Sequence, residues 1–152
     1  MADFVLAGRE HVELLLRFME DFYAHDGLTF EPARSRAALE GLLDEPSFGR
    51  AWLIRDAGVT IGYVVLCLGY SLEYHGRDAF VDEIFIVEAQ RGKGLGGQAL
   101  AFLEAQCRAL GVEALHLEVE RSNLAAHRLY RKAGFEQHDR QLLTRRLRHA
   151  DA

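Results

Sequence analysis

The chain has 152 residues, 49% apolar and 27% charged, with 14 Gly and 2 Pro; this describes one ordinary globular domain and excludes a disordered chain, a collagen and a disulfide scaffold. At this length a single core buries roughly 68–70% of the surface an unfolded chain exposes, without a metal or disulfide staple. Eighteen Lys and Arg against 23 Asp and Glu leave a net charge of −5, which argues against a general nucleic-acid or anionic-membrane binder, so any anionic ligand needs a local basic site.

In chain order, Val12, Leu15, Leu16, Met19, Phe22 and Tyr23 recur at three- and four-residue spacing and predict an amphipathic helix over residues 10–24. Pro32 stands where a second helix, over 33–43, would begin. Residues 51–55 and 60–68 read as a hairpin about the turn Asp56-Ala57-Gly58, and 79–87 as a further strand. After a loop over 88–93 comes a helix over 94–110 with Ala99, Leu100, Leu103 and Cys107 inward and Gly111 as its C-terminal cap. A strand over 114–119 follows, then a short helix capped by Ser122 or Asn123 and stopped at Gly134, and a final strand over 141–148. The expected fold is a single α/β domain over 1–152, with helices flanking a mixed, mostly antiparallel sheet.

Cys67 and Cys107 lie in apolar surroundings with no Cys or His at metal-ligand spacing, and read as reduced thiols. No stretch approaches the roughly 20 apolar residues of a membrane span, and Met1-Ala2-Asp3-Phe4-Val5 lacks a basic lead into an apolar run. A cytoplasmic protein without a metal, a membrane or a nucleic-acid partner is expected.

The segment Gln90-Arg91-Gly92-Lys93-Gly94-Leu95-Gly96-Gly97 follows an apolar strand and opens a helix. Free backbone N–H groups and the positive end of the helix dipole meet an anion at such a place, and glycine lets the main chain come close to a phosphate. Arg91 and Lys93 add the positive charge that the composition as a whole lacks. Gly92, Gly94 and Gly97 also satisfy a dinucleotide-binding G-x-G-x-x-G, with Glu118 about twenty residues on as its ribose acid. Four residues separate the strand from the first glycine, however, and too little chain follows to finish a doubly wound sheet. No Lys-Ser or Lys-Thr follows the glycines, as a nucleotide-triphosphate loop would need.

Arg91-Gly92-Lys93-Gly94-Leu95-Gly96 resembles the acetyl-coenzyme A signature of the GNAT N-acetyltransferase superfamily, (Gln or Arg)-x-x-Gly-x-(Gly or Ala). The run from Asn123 through Tyr130 to Gly134 and Phe135 resembles the family's later motif, and the strand over 81–86 stands in the expected place before both. The resemblance covers residues 79–135 in order and spacing, and is nearest to the diamine and polyamine acetyltransferases. It implies acetyl-coenzyme A as co-substrate, with the pyrophosphate cradled by Arg91, Gly92, Lys93, Gly94, Leu95, Gly96 and Gly97. It implies a bulge at which the strand splays from the next one, and main-chain contacts from Ile84, Phe85 and Ile86 to the pantetheine. Asn123 would lie against the coenzyme, and Arg131 and Lys132 are candidates for its 3′-phosphate.

Acetyl transfer to an amine needs a base, because an alkylammonium with a pKa of about 10.4 must lose a proton before it attacks; the departing thiolate, of about 8.5, leaves more readily if an acid protonates it. Tyr130 is the candidate acid, with a phenol of about 10 that stays protonated until needed. Asp82 and Glu83 interrupt an apolar strand and point to an opening into a cleft. A regular strand presents only one of two neighbours to a given side; the resemblance favours Asp82 over Glu83 as base. His116 and His127 read as packing residues, and Arg140, Arg145, Arg146 and Arg148 as a solvated tail or a homodimer contact.

The expected reaction is direct transfer of acetyl to a small amine, a polyamine or a lysine-like acceptor, since no Cys or Ser stands beside a base as a nucleophile. Asp21, Asp26, Glu31 and the Asp82-Glu83 pair are the candidate walls of an acidic acceptor pocket. The alternatives are a non-catalytic acyl-coenzyme A sensor, which would need neither Tyr130 nor a carboxylate, and, further off, the dinucleotide-binding domain.

Overall fold

In the longest strand of the sheet, side chains alternate between two helical layers: Val64 and Leu66 pack on one side, Tyr63 and Val65 on the other. The computed structural model describes residues 1–148. Its elements are β1 (Asp3–Leu6), α1 (Val12–His25), α2 (Pro32–Asp44), β2 (Gly49–Asp56), β3 (Val59–Ser71), β4 (Gly76–Ile86), α3 (Leu95–Ala109), β5 (Ala114–His116) and α4 (Leu124–Lys132), with short 3₁₀ turns before α1 and after β4. One sheet of order β1-β2-β3-β4-β5 is antiparallel except for the β4–β5 pair. Helices α1 and α2 cover one face over Leu15, Leu53, Tyr63 and Phe85, and α3 covers the other over Trp52, Ile54, Leu66 and Leu103.

The expected helices and the central hairpin form close to their predicted limits. Ala57 and Gly58 both take positive φ, so β2 and β3 are joined by the tight turn whose twist suits a hairpin. Strand β1 was not expected, because only four residues, Asp3–Leu6, carry it; it exists by pairing with residues 52–55 of β2. The strand expected over 141–148 does not form. Leu142 and Leu143 stand side by side, so no period-two face exists there; both are exposed, as is Leu147, and Arg140 is held instead by Glu73 at 2.8–2.9 Å. The strand expected over 114–119 stops at His116.

At Gly62, β3 has no room for a side chain against β4. A Cβ there would stand 2.0 Å from the Phe85 carbonyl oxygen, which is backbone and cannot swing away. Gly62→Ala is therefore expected to cost about 1–3 kcal/mol and to lower the melting temperature by roughly 2–12 °C. A melting curve superimposable on the wild type would show that the two strands separate there without cost.

Candidate active site

The β4–β5 pairing is confined to Asp78↔Ala114, Ala79↔Leu115 and Phe80↔His116. Beyond Phe80 the two strands diverge, while β4 stays paired to β3 as far as Ile86. The edge of β4 that carries Ile84, Phe85 and Ile86 therefore faces a gap rather than a strand. His116 holds the closed end, with its ring against Phe80 and Tyr74 and its Nε2 3.2 Å from Asp78 Oδ2. His127 Nε2 lies 3.0 Å from the Glu120 carbonyl.

At the open end the chain passes through a 3₁₀ turn, Glu88–Gln90, into the glycine loop and α3. Gly92 and Gly94 have φ of +77° and +79°, a left-handed conformation that a side chain would strain. Gln98 is the first amide to close onto the helix, through the Gly94 carbonyl at 3.2 Å, so the N–H groups of Leu95, Gly96 and Gly97 point out of the helix start. Arg91 folds back onto the end of β4, its Nε donating to the Ile86 carbonyl at 2.8 Å and its guanidinium 5.7 Å from the Phe85 ring centre. Lys93 Nζ donates to Gln90 Oε1 at 3.0 Å. A Cβ on Gly96 would come within 3.0 Å of Leu129 Cδ2, so the missing side chain also lets α4 approach the first turn of α3. Outward amides, absent Cβ atoms and two flanking cations fit a pyrophosphate.

A cleft of about 1210 Å³ runs from this helix start past α4, touching Gly94, Gly97, Leu117, Leu129 and Tyr130. Asn123 is the N-cap of α4, its Oδ1 accepting from the Ala126 amide at 3.1 Å. Tyr130, seven residues on, is half-buried with its ring edge-on to Phe135. Burial pushes its phenol pKa up, and Asp26 at the end of α1 pushes it further. Glu31 pairs with Arg34 on the surface, and Asp21 is exposed. Arg131 and Lys132 lie exposed in the last turn of α4.

The expectation that only one of Asp82 and Glu83 faces the site is overturned. Opposite β4, Val65 pairs with Glu83 and Leu66 with Val81, which leaves Asp82 as an extra, bulged residue. Val81 and Ile84, three residues apart, both pack on the α3 side. Asp82 and Glu83 between them consequently both turn toward α1 and α2. The bulge is the one the family resemblance implies; the residue pattern by itself shows only its result, two adjacent carboxylates in an apolar strand.

Glu83 is partly buried and accepts from Tyr63 Oη at Oε1, 2.7 Å, and from Tyr23 Oη at Oε2, 2.5 Å. Desolvation raises its pKa, and the two phenols oppose that rise. Asp82 is exposed, yet the surrounding chain crowds its carboxyl enough to raise its pKa too; a hydrogen bond from the Cys67 thiol opposes the rise. Burial, then the two carboxylates, push Cys67 up to about 11 and keep it a thiol. A smaller cleft of about 390 Å³ touches Cys67, Phe80, Asp82 and Glu118, so Glu118 faces the mouth of the splay from β5's continuation. Sequence reasoning assigned Glu118 only to the discarded dinucleotide pattern. Tyr23 and Tyr63 were missed as site residues because each also reads as an ordinary core aromatic. Both cysteines are free, and among the described residues no group of three or more His, Cys, Asp or Glu could hold a metal.

A helix start with outward amides thus stands beside a splayed parallel strand pair whose central strand is bulged. The family model described as "Acetyltransferase (GNAT) family" matches residues 12–135, and the chain belongs to that family of acyltransferases. It is 37% identical over 67 residues to an uncharacterized N-acetyltransferase, YycN, of Bacillus subtilis, a match covering 44% of this chain and 43% of that protein. The chain thus spans less than half the length of that curated relative. Among solved structures, an integron cassette protein, HFX_CASS3, from the mobile metagenome of Cole Harbour Salt Marsh superimposes with a TM-score of 0.85 at 38% identity, over 96% of this chain and 91% of that one. AAC(6')-Iy in complex with a bisubstrate analog, CoA-S-monomethyl-acetylneamine, shares the fold with a TM-score of 0.78 at 18% identity, over 96% of this chain and 98% of that one. Among the described residues no helix is long and apolar enough to cross a membrane.

Proposed function

We propose that the protein is an N-acetyltransferase that moves acetyl from acetyl-coenzyme A directly to a primary amine: a small amine, a polyamine or a lysine-like side chain. The observation that carries this reading is the bulge at Asp82, which turns two carboxylates toward the acceptor side where β4 leaves β5. Bound coenzyme would supply the activated acyl thioester. The amides of Leu95, Gly96 and Gly97, with Arg91 and Lys93, hold its pyrophosphate; the free edge at Ile84, Phe85 and Ile86 aligns the pantetheine as a short extra strand. Asn123, already committed to its cap through Oδ1, contributes its remaining amide group to that groove.

Asp82 takes the proton from the acceptor's ammonium, directly or through water, and frees its lone pair for attack. A raised carboxylate pKa suits this role, because a base works best when it titrates near the operating pH. Tyr130, kept protonated by burial and by Asp26, donates its phenolic proton to the departing sulfur. A sensor that binds acyl-coenzyme A without turnover would have no use for this acid or for two desolvated carboxylates. A cytoplasmic location belongs to the same reading, as does a homodimer in which the exposed leucines and arginines of the C-terminal arm meet a second copy.

The test is thiol release from acetyl-coenzyme A across a panel of primary amines, polyamines and lysine peptides, together with melting curves. Turnover is expected with at least one primary amine, and acetyl-coenzyme A is expected to raise the melting temperature by mass action, with NAD and ATP far weaker. Binding without release on the whole panel would favour the sensor, and stabilisation by NAD but not by acetyl-coenzyme A the dinucleotide domain.

A further inference from the structure

Nothing in acetyl transfer as such requires Glu83 to be gripped from two sides, yet it is. Tyr63, fully buried in the middle of β3, and Tyr23, near the end of α1, each spend a phenolic hydrogen on a different oxygen of the same carboxylate. Asp82 has no such clamp and opens onto the smaller cleft beside Cys67 and Glu118. The ionisable groups facing Glu83 are Tyr23 from α1, Tyr63 and Cys67 from β3, and Asp82 on β4 itself. None is a cation. In so cation-poor a pocket, a buried carboxylate keeps its charge only through hydrogen bonds.

We infer that Tyr23 and Tyr63 are positioning residues that hold Glu83 as a fixed anion for the acceptor's ammonium, leaving Asp82 to carry the proton. The inference rests on the proposed amine acetylation and divides its two carboxylates by task. Two donated hydrogen bonds lock the orientation of the Glu83 carboxyl and favour its ionised form. They also leave each oxygen a further lone pair, so one ammonium can be received without breaking the clamp. Because Tyr23 belongs to α1 and Tyr63 to β3, the anion is tied to the covering helix as well as to the sheet.

The test uses Tyr63→Phe and Tyr23→Phe, which keep the rings and remove one donor each. With an amine that the wild type acetylates, each variant is expected to raise KM for the amine on the order of tenfold, the worth of one hydrogen bond to a charged group, with kcat much less affected. The acidic limb of kcat/KM is expected to move to higher pH, since Glu83 then binds its proton more readily. In a Glu83→Gln background, Tyr23→Phe is expected to change KM no further. The carboxyl titration of Glu83, followed by NMR in the protein without substrates, is expected to shift upward in Tyr63→Phe, and this readout does not depend on turnover. An unmoved Glu83 titration, or a fall in kcat alone with KM and the acidic limb unchanged, would overturn the inference while leaving amine acetylation standing. Should the buried Tyr63→Phe fail to fold, Tyr23→Phe, on the less buried ring, decides by the same two readouts.

Discussion

Tyr130→Phe is expected to lower turnover by roughly 10²- to 10⁴-fold, the usual worth of a positioned acid, with little loss of coenzyme affinity. The substitution keeps the ring that packs edge-on against Phe135 in the α3-side core and leaves intact the backbone bond from the Phe135 amide to the Tyr130 carbonyl. What disappears is the proton that burial and Asp26 hold on the phenol at neutral pH. Steady-state thiol release and direct coenzyme titration of the same preparation separate the two effects. Turnover within a fewfold of wild type would remove Tyr130 from the chemistry; equal losses of turnover and coenzyme affinity would make it a packing residue of the cleft.

Gly94→Asp and Gly96→Asp are expected to weaken coenzyme binding by roughly 10²-fold or more, because each puts an anion where outward amides await one and charge repulsion adds to the lost contacts. The folded state is expected to survive both. At Gly94, where φ is +79°, Asp is among the side chains that tolerate the left-handed region best, and nothing lies within 4 Å of a Cβ there. At Gly96 the nearest obstacle to a Cβ is Leu129 Cδ2, the far end of a flexible side chain. Circular dichroism with calorimetric titration of acetyl-coenzyme A checks both halves of the expectation. Unchanged affinity in a folded variant would reduce the loop to an ordinary turn.

The parts of the molecule that were legible in sequence are those with strong local signals. The spacing of Leu15, Leu16 and Met19 announces α1, Pro32 the start of α2, and the glycines among Arg91 and Lys93 the loop that opens α3. Elements that depend on distant partners were not legible. β1 is a strand because β2 offers it an edge, whereas residues 141–148, with paired leucines and no period-two face, find no edge and stay irregular. The bulge at Asp82 lives in the register between β3 and β4, which no single segment encodes. The grip of Tyr23 and Tyr63 on Glu83 joins α1, β3 and β4, and emerges only once the sheet is folded under the helix.

The central claim is that the bulge sets Asp82 at the acceptor as the base. The pH dependence of kcat for wild type and Asp82→Asn, measured with the best primary amine of the panel, tests it most directly. Because Asp82 must be ionised to accept a proton, wild-type kcat is expected to fall as pH drops through its carboxyl pKa, which burial raises above the ordinary carboxylate value. In Asp82→Asn, kcat is expected to fall by roughly 10²-fold or more, and the remaining activity to rise with pH only as the free amine accumulates in solution. An acidic limb that persists unchanged in Asp82→Asn and vanishes in Glu83→Gln would contradict the account.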